Sequence, residues 1–150
     1  SGTTDTNYWA GRTLMSRGAF TLGAGQTLQV ELERRAMEAK GTGARSGLWI
    51  WCDEGNFLLF AQDTEKTVWS YNLDGRTGSG EAVAPAPDAG AHTLRLVHDG
   101  EAVRLFLDGG EVALVPVSWR EGIRVGITTQ ARAAGDHVTA RFGPFSAVVR

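Results

Sequence analysis

Three short apolar runs decide the fold of this chain: GLWIWC at residues 47–52, NFLLFAQ at residues 56–62 and TVWSY at residues 67–71. In an extended strand, successive side chains point to opposite faces, so a run of this kind has two chemically different sides. Asp53 and Gly55 between the first two runs, and Asn56 at the start of the second, are typical turn residues. The pattern therefore predicts consecutive β-strands joined by tight turns.

The first run separates aromatic from aliphatic side chains. Leu48, Ile50 and Cys52 share one face of the predicted strand, and we expect that face to point into the core. Trp49 and Trp51 share the opposite face. Cys52 is the only cysteine, so an intrachain disulfide is excluded, and its position favours a small buried hydrophobic residue over a reactive thiol.

The third run extends the aromatic pattern, because Trp69 and Tyr71 alternate with Val68 and Ser70. If Val68 points into the core, the two aromatics point outward. We therefore predict an exposed aromatic platform formed by Trp49, Trp51, Trp69 and Tyr71, which is typical of a binding surface. The alternative is that the tryptophans form the core and the aliphatic residues lie under a covering loop at residues 76–91.

Length and composition place the chain among ordinary globular domains. It has 150 residues, 42% hydrophobic and 21% charged, with a net charge of −2. The composition lacks the excess of basic residues that is typical of a nucleic-acid-binding protein. No apolar run approaches the roughly 20 residues of a membrane-spanning helix. We expect an N-terminal extension with a candidate first strand at residues 1–17, followed by a single β-sandwich domain at residues 18–150.

The remaining sequence also favours β-structure. Asp99-Gly100 and Asp108-Gly109 each stand between alternating runs, as in hairpins with tight turns. Roughly ten to twelve short strands fit the spacing of a sandwich. Residues 28–35 alternate as a strand, although a helix over residues 28–40 is the alternative. Residues 76–91 form the longest predicted loop, with a candidate short strand at residues 81–84.

Three segments resemble the concanavalin A-like lectin/glucanase superfamily, which includes laminin-G-like domains. They are GLWIWCDEGNFLLF at residues 47–60, HTLRLVHDG with VRLFLDG at residues 92–100 and 103–109, and IRVGI with FGPF at residues 123–127 and 142–145. The resemblance implies an all-β fold, a two-sheet antiparallel β-sandwich of jelly-roll type. Within this superfamily, the chain is similar to the accessory domains of bacterial glycoside hydrolases. A fold does not by itself assign a function.

These observations favour a non-catalytic module that binds carbohydrate on the aromatic platform. Its predicted polar partners alternate away from Leu28, Val30 and Leu32, and they are Gln29, Glu31, Glu33 and Arg35. We expect the domain to work outside the cell, or in the periplasm or at the cell surface, as part of a larger protein. The alternatives are a protein–protein adhesion or scaffold domain and a glycan-active hydrolase.

The hydrolase alternative depends on Glu31 and Glu33. At positions i and i+2 they share a strand face roughly 6.5 Å apart at the backbone, against about 5–5.5 Å between the carboxyl groups of retaining glycosidases. Arg34 and Arg35 follow where the resembling glucanases carry a further acid, so solvated strand charges are the favoured interpretation.

A metal site is the remaining alternative. Asp53, Glu54 and Asn56 supply oxygen ligands of the kind that Ca²⁺ prefers. Their turn-forming chemistry accounts for the same stretch without an ion. We therefore predict no cofactor, with a structural Ca²⁺ at these three residues as the alternative.

Overall fold

The computed structural model describes residues 11–41, 43–63, 65–82, 90–133 and 135–150, together with the backbone of residues 2–3 and 10. All regular secondary structure in these residues is β-strand, so the described chain contains no helix long and apolar enough to cross a membrane. The strands are β1 (Gly2–Thr3), β2 (Ala10–Met15), β3 (Leu28–Lys40), β4 (Arg45–Asp53), β5 (Asn56–Gln62), β6 (Thr67–Leu73), β7 (Arg76–Ala82), β8 (His92–His98), β9 (Ala102–Leu107), β10 (Gly110–Pro116), β11 (Arg124–Ala131) and β12 (His137–Val149).

The strands form two six-stranded antiparallel sheets. The front sheet has the order β2-β11-β4-β5-β6-β7, and the back sheet has the order β1-β12-β3-β8-β9-β10. The chain crosses between the sheets at several points, for example after β3, which lies in the back sheet, whereas β4 lies in the front sheet. The two-sheet antiparallel β-sandwich expected from the sequence is confirmed.

The core lies between the inward faces of the two sheets. In the front sheet, Leu48 pairs with Phe60 and Ile50 pairs with Leu58, and all four side chains are fully buried. The back sheet contributes alternate residues of its three central strands, which are Leu28, Val30, Leu32, Leu94, Leu96, Val103, Leu105 and Leu107. Burial of these side chains is the main favourable term in folding.

Strand β3 extends beyond the predicted segment and excludes the helical alternative. Its burial alternates along residues 28–34, with Leu28, Val30 and Leu32 buried and Glu31 exposed. A period of two is the signature of a half-buried strand. The long loop predicted at residues 76–91 is wrong in its first half, because Arg76–Ala82 forms β7; residues 83–89 lie outside the described part of the chain.

Tight turns connect most neighbouring strands of each sheet. Asp74-Gly75 and Asp108-Gly109 have positive φ angles at both residues, from 49° to 87°, as type I′ hairpin turns require. At the turn after β8, Oδ1 of Asp99 accepts hydrogen bonds from the backbone N–H groups of Glu101 and Ala102, each at 2.8 Å. These bonds lower the pKa of Asp99 below its usual value.

The edge strand β7 is packed by rings from its neighbour. Trp69 pairs with Gly80 and Tyr71 pairs with Gly78, and both rings lie on the inward face against the core. A Cβ atom on Gly78 or Gly80 would overlap the ring opposite it. The two glycines therefore make the space in which the aromatic side chains of β6 lie across the edge strand.

Replacing Gly80 with alanine tests this arrangement. The new methyl group would displace the indole of Trp69, so we expect the free energy of unfolding to fall by about 1–3 kcal/mol. Urea unfolding followed by tryptophan fluorescence measures the change. Ser79→Ala is the matched control, since Ser79 lies on the same strand and points outward. Equal stability of Gly80→Ala and the control would contradict the packing described.

Cys52 lies where the sequence predicts, packed against the core beside the inward residues of β4. Burial, with a smaller contribution from the neighbouring carboxylate of Asp53, raises the pKa of its thiol from 9.0 to about 11. The thiol is thus protonated at neutral pH, and only the thiolate is nucleophilic.

The raised pKa predicts how Cys52 reacts. Alkylation by iodoacetamide should be slow at pH 8 in the folded protein and fast in denaturant, where the thiol has its ordinary pKa. The pKa of the Cys52 thiol is higher in the folded state than in the unfolded state. The free energy of unfolding therefore has its full value below pH 9 and decreases as the pH rises towards 11. Equal alkylation rates in the two states at pH 8 would contradict the burial of Cys52.

Candidate functional site

The outward face of the front sheet is recessed. Leu59, Ala61 and Thr128 point away from the core, yet they are no more than 1% exposed, and Gln130 is 9% exposed. On the outward face of the back sheet, Leu114 and Val148 are 46% and 43% exposed. Small residues such as Gly47 and Gly126 lie on the recessed face, which lowers its floor relative to the larger side chains around it.

Two adjoining clefts occupy this face, with volumes of about 730 Å³ and about 590 Å³. They share Arg45, Ser70 and Ser79, and we refer to them together as the groove. One end is lined by Asp63, Lys66, Arg132 and Asp136 of the connecting segments and by residues of β6 and β7, among them Trp69. The other end is lined by Trp49, Phe57, Thr77 and Gln130.

An aromatic pair lines the second end of the groove. The rings of Trp49 and Phe57 stack with their centroids 5.2 Å apart and their planes 11° from parallel. Trp49 lies on β4 and Phe57 on β5, and we refer to this pair as the aromatic ledge. Trp51 pairs with Phe57 across the two strands, so it lies on the same face beside the ledge. The ledge presents flat apolar surface at the side of a partly polar groove.

A clamped amide lies next to the ledge. Oε1 of Gln130 accepts two hydrogen bonds from Arg45, one from Nε at 3.0 Å and one from Nη2 at 2.8 Å. The pKa of Arg45 is lowered to about 10, mainly because the guanidinium group is buried. The carboxylate of Asp63 raises this pKa, and the positive charge of Arg132 lowers it. Arg45 therefore remains charged at neutral pH and holds Gln130 in one orientation.

The far end of the groove carries charges of both signs. Lys66 forms an ion pair with Glu81, and this contact raises the pKa of Lys66. Oδ1 of Asp63 accepts hydrogen bonds from the backbone N–H groups of Glu65 and Lys66, each at 2.7 Å. Asp136 is buried, and its Oδ2 accepts a hydrogen bond from the N–H of Ala133 at 3.1 Å.

The predicted outward direction is wrong for two of the four residues of the aromatic platform, Trp69 and Tyr71, although both are among the residues that line the groove. Trp49 and Trp51 lie on the outward face of the front sheet, as expected. Trp69 pairs with Phe60, and Tyr71 pairs with Leu58, which places both of them on the inward face. The prediction took Val68 as the inward residue of β6, whereas the register with β5 turns Val68 outward.

The predicted polar partners lie on the other side of the sandwich. Gln29, Glu31, Glu33 and Arg35 are on the outward face of β3, in the back sheet, and none of them lines the groove. Glu33 forms an ion pair with Arg35 at 2.7 Å. Placing these side chains beside the tryptophans is wrong because β3 and β4 belong to different sheets.

The predicted metal ligands take part in turn contacts. Oδ1 of Asp53 accepts hydrogen bonds from the N–H of Gly55 at 2.8 Å and from Nδ2 of Asn56 at 3.1 Å. Oδ1 of Asn56 accepts from the N–H of Asp74 and from Nε1 of Trp119, each at 3.2 Å, and Glu54 is exposed. Within the part of the chain that the structure describes, no group of three His, Cys, Asp or Glu side chains is arranged to hold a metal ion.

Sequence analysis missed Phe57, Arg45 and Gln130. The signal for Phe57 was present, since it lies one residue before Leu58 and so shares the face opposite to Leu58 and Phe60. Arg45 and Gln130 are 85 residues apart in sequence and meet only through the pairing of β4 with β11. No local pattern in the sequence marks that contact.

Comparison with known proteins supports the fold assignment. No protein-family model and no curated protein matches this sequence. A solved structure of a functionally unknown protein from Saccharomyces cerevisiae matches with a TM-score of 0.68 and 16% identity, over 99% of this chain and 86% of the other. A mutant of the GH43 protein BlXynB from Bacillus licheniformis matches with a TM-score of 0.70 and 16% identity, over 83% of this chain and 28% of the other.

A carbohydrate-binding module, CBM66 from Bacillus subtilis, matches over nearly the whole of both chains. The match covers 95% of this chain and 96% of that one, with a TM-score of 0.59 and 14% identity. Sheep galectin-11 and the catalytic domain of an endo-1,3-β-glucanase (laminarinase) from Thermotoga petrophila are among the further matches. The fold of this chain is thus the concanavalin A-like jelly roll that the sequence motifs resemble. At these identities the likeness establishes the fold alone.

Proposed function

We propose that this domain is a non-catalytic carbohydrate-binding module that holds its ligand in the groove. The observation that carries the proposal is the aromatic ledge of Trp49 and Phe57, which stands beside the clamped amide of Gln130. Sugar rings have apolar C–H faces and polar hydroxyl edges. A ligand of that kind needs flat apolar surface with a few fixed polar groups next to it, and the groove supplies both.

The similar structures agree with this proposal. They include a carbohydrate-binding module and galectins, as well as GH43 and laminarinase structures. Binding without catalysis has more support than hydrolysis, because the carboxylates suggested by the sequence, Glu31 and Glu33, lie on the back sheet away from the groove. Their positions give no support to hydrolysis by this pair.

A protein–protein adhesion surface has less support. In the described part of the back sheet, polar residues interrupt the outward apolar side chains: Val148, Val97 and Leu114 alternate with Gln29 and Arg104 in one row across the strands. Arg95 lies over the ring of Phe106, 4.3 Å from its centroid, in the next row. Singly exposed hydrophobic residues among charges are ordinary protein surface.

The proposal extends to where the domain acts. Long polysaccharides are found outside cells and in cell walls, so a module that binds them fits a secreted or surface-attached protein. We place this domain in such a protein, attached to other domains. Export of the natural full-length protein, followed by cell fractionation, tests this location directly.

Trp49→Ala is the decisive variant for the binding face. Truncating an aromatic residue at the centre of a contact costs about 2 kcal/mol or more, so we expect affinity for a bound oligosaccharide to fall by at least about 30-fold. A glycan array identifies the ligand, and isothermal titration calorimetry measures the loss.

The matched control is Phe106→Ala, which removes a half-buried aromatic side chain from the outward face of the back sheet. This variant should retain the affinity of the unmodified protein. Thermal unfolding of both variants establishes that they are folded. Equal affinities of Trp49→Ala and the unmodified protein would reject the groove as the binding site.

A further inference from the structure

The orientation of Gln130 is fixed by the chemistry of its neighbour. A guanidinium group donates hydrogen bonds and cannot accept them, so Arg45 must face the amide oxygen of Gln130. The two observed contacts, at 3.0 Å and 2.8 Å, both end on that oxygen. The amide nitrogen is consequently the end of Gln130 that remains as a donor, on a side chain that lines the groove and is more than nine-tenths buried.

The groove offers more space than one sugar ring fills, because it joins clefts of about 730 Å³ and about 590 Å³. The two clefts are joined at Arg45, Ser70 and Ser79, and together they run from the aromatic ledge to the charged end. The ledge offers a stacking surface at one end, and the buried carboxylate of Asp136 offers a hydrogen-bond acceptor at the other. Distinct polar contacts along an extended groove suit a ligand made of several linked units.

The charges that line the groove cancel. Among the lining residues that the structure describes, three cationic side chains, Arg45, Lys66 and Arg132, are matched by three acidic ones, Asp63, Glu81 and Asp136. Lys66 is already bound to Glu81, and Arg45 is bound to Gln130. A polyanion would meet three carboxylates in this confined space, without a net positive field to offset them.

We propose that the groove binds a neutral oligosaccharide along its length, with the amide nitrogen of Gln130 donating a hydrogen bond to the sugar beside the aromatic ledge. Arg45 acts as the positioning residue for this donor. The inference rests on the proposed carbohydrate-binding function, and it adds the charge class of the ligand, its extended form and the residue that selects it.

Calorimetric titration with defined oligosaccharides tests the ligand class. The neutral probes are gluco-, xylo-, manno- and fructo-oligosaccharides of two to six units, and the anionic probes are oligogalacturonate and hyaluronan hexasaccharide. We expect at least one neutral series to bind, with affinity that increases from two units to about four and changes less than two-fold between 50 mM and 500 mM NaCl. Tighter binding of an anionic probe, or no gain beyond two units, would overturn the proposal.

Gln130→Glu isolates the donor. A glutamate keeps the contact with Arg45 and strengthens it through charge, but it removes the N–H group that the ligand needs. We expect about a ten-fold loss of affinity for the neutral probe, with a melting temperature at least as high as that of the unmodified protein. Gln29→Glu makes the same chemical change on the back sheet and should leave the affinity unchanged.

Arg45 is tested through its effect on Gln130. Arg45→Met removes the clamp and should weaken binding by several-fold, and Arg45→Lys should recover part of the loss because an ammonium group can donate to the same oxygen. Titration followed by NMR should shift the side-chain amide signals of Gln130 in the unmodified protein. Absence of that shift at saturating ligand would overturn the role of Gln130.

The outcomes separate this inference from the function on which it rests. Loss of binding in Trp49→Ala, together with full affinity in Gln130→Glu, would leave a carbohydrate-binding groove and reject the role of Gln130. Failure of every oligosaccharide to bind the unmodified protein would reject both proposals. Binding of a neutral series that needs both Trp49 and Gln130 is the result that we expect.

Discussion

The pairing of β4 with β5 determines which chemistry this protein presents to solvent. Leu48 against Phe60 and Ile50 against Leu58 fix one face of the front sheet as the inward one, since all four side chains are removed from water. A shift of the register by one residue would turn every side chain of a strand to the other face. Trp49 and Phe57 lie outward as a direct result, and so the groove depends on a register that is set by the core.

The shape of the groove also follows from the register of β4 with β5. The outward residues of the front sheet are not part of the core, and several of them are small, such as Gly47 and Gly126. Their lack of bulk leaves room above the sheet. Arg45 and Gln130 then enter that space from neighbouring strands and hydrogen bond there. The core and the proposed binding groove thus lie on opposite faces of the same four central strands.

Much of the fold was predictable from the sequence, because period-two alternation and Asp-Gly turns are local signals. The inward direction of Leu48, Ile50 and Cys52 follows from such a pattern. The candidate site was harder to predict, because it depends on register and sheet assignment. Val68 and Trp69 are both apolar, so alternation in β6 alone does not determine which of them faces the core; pairing with Phe60 does. Nothing local to β3 shows that Glu31 lies in the sheet opposite Trp49.

The wall of the groove that β7 forms is supported by aromatic side chains of the neighbouring strand. Thr77 and Ser79 line it from β7, a strand with no large apolar side chain of its own on the inward face, where Gly78 and Gly80 lie beneath Tyr71 and Trp69. Backbone hydrogen bonds and those two rings are what hold this strand to its neighbour. The width of the groove is therefore set in part by two aromatic side chains that pack against the core on the other face of the sheet.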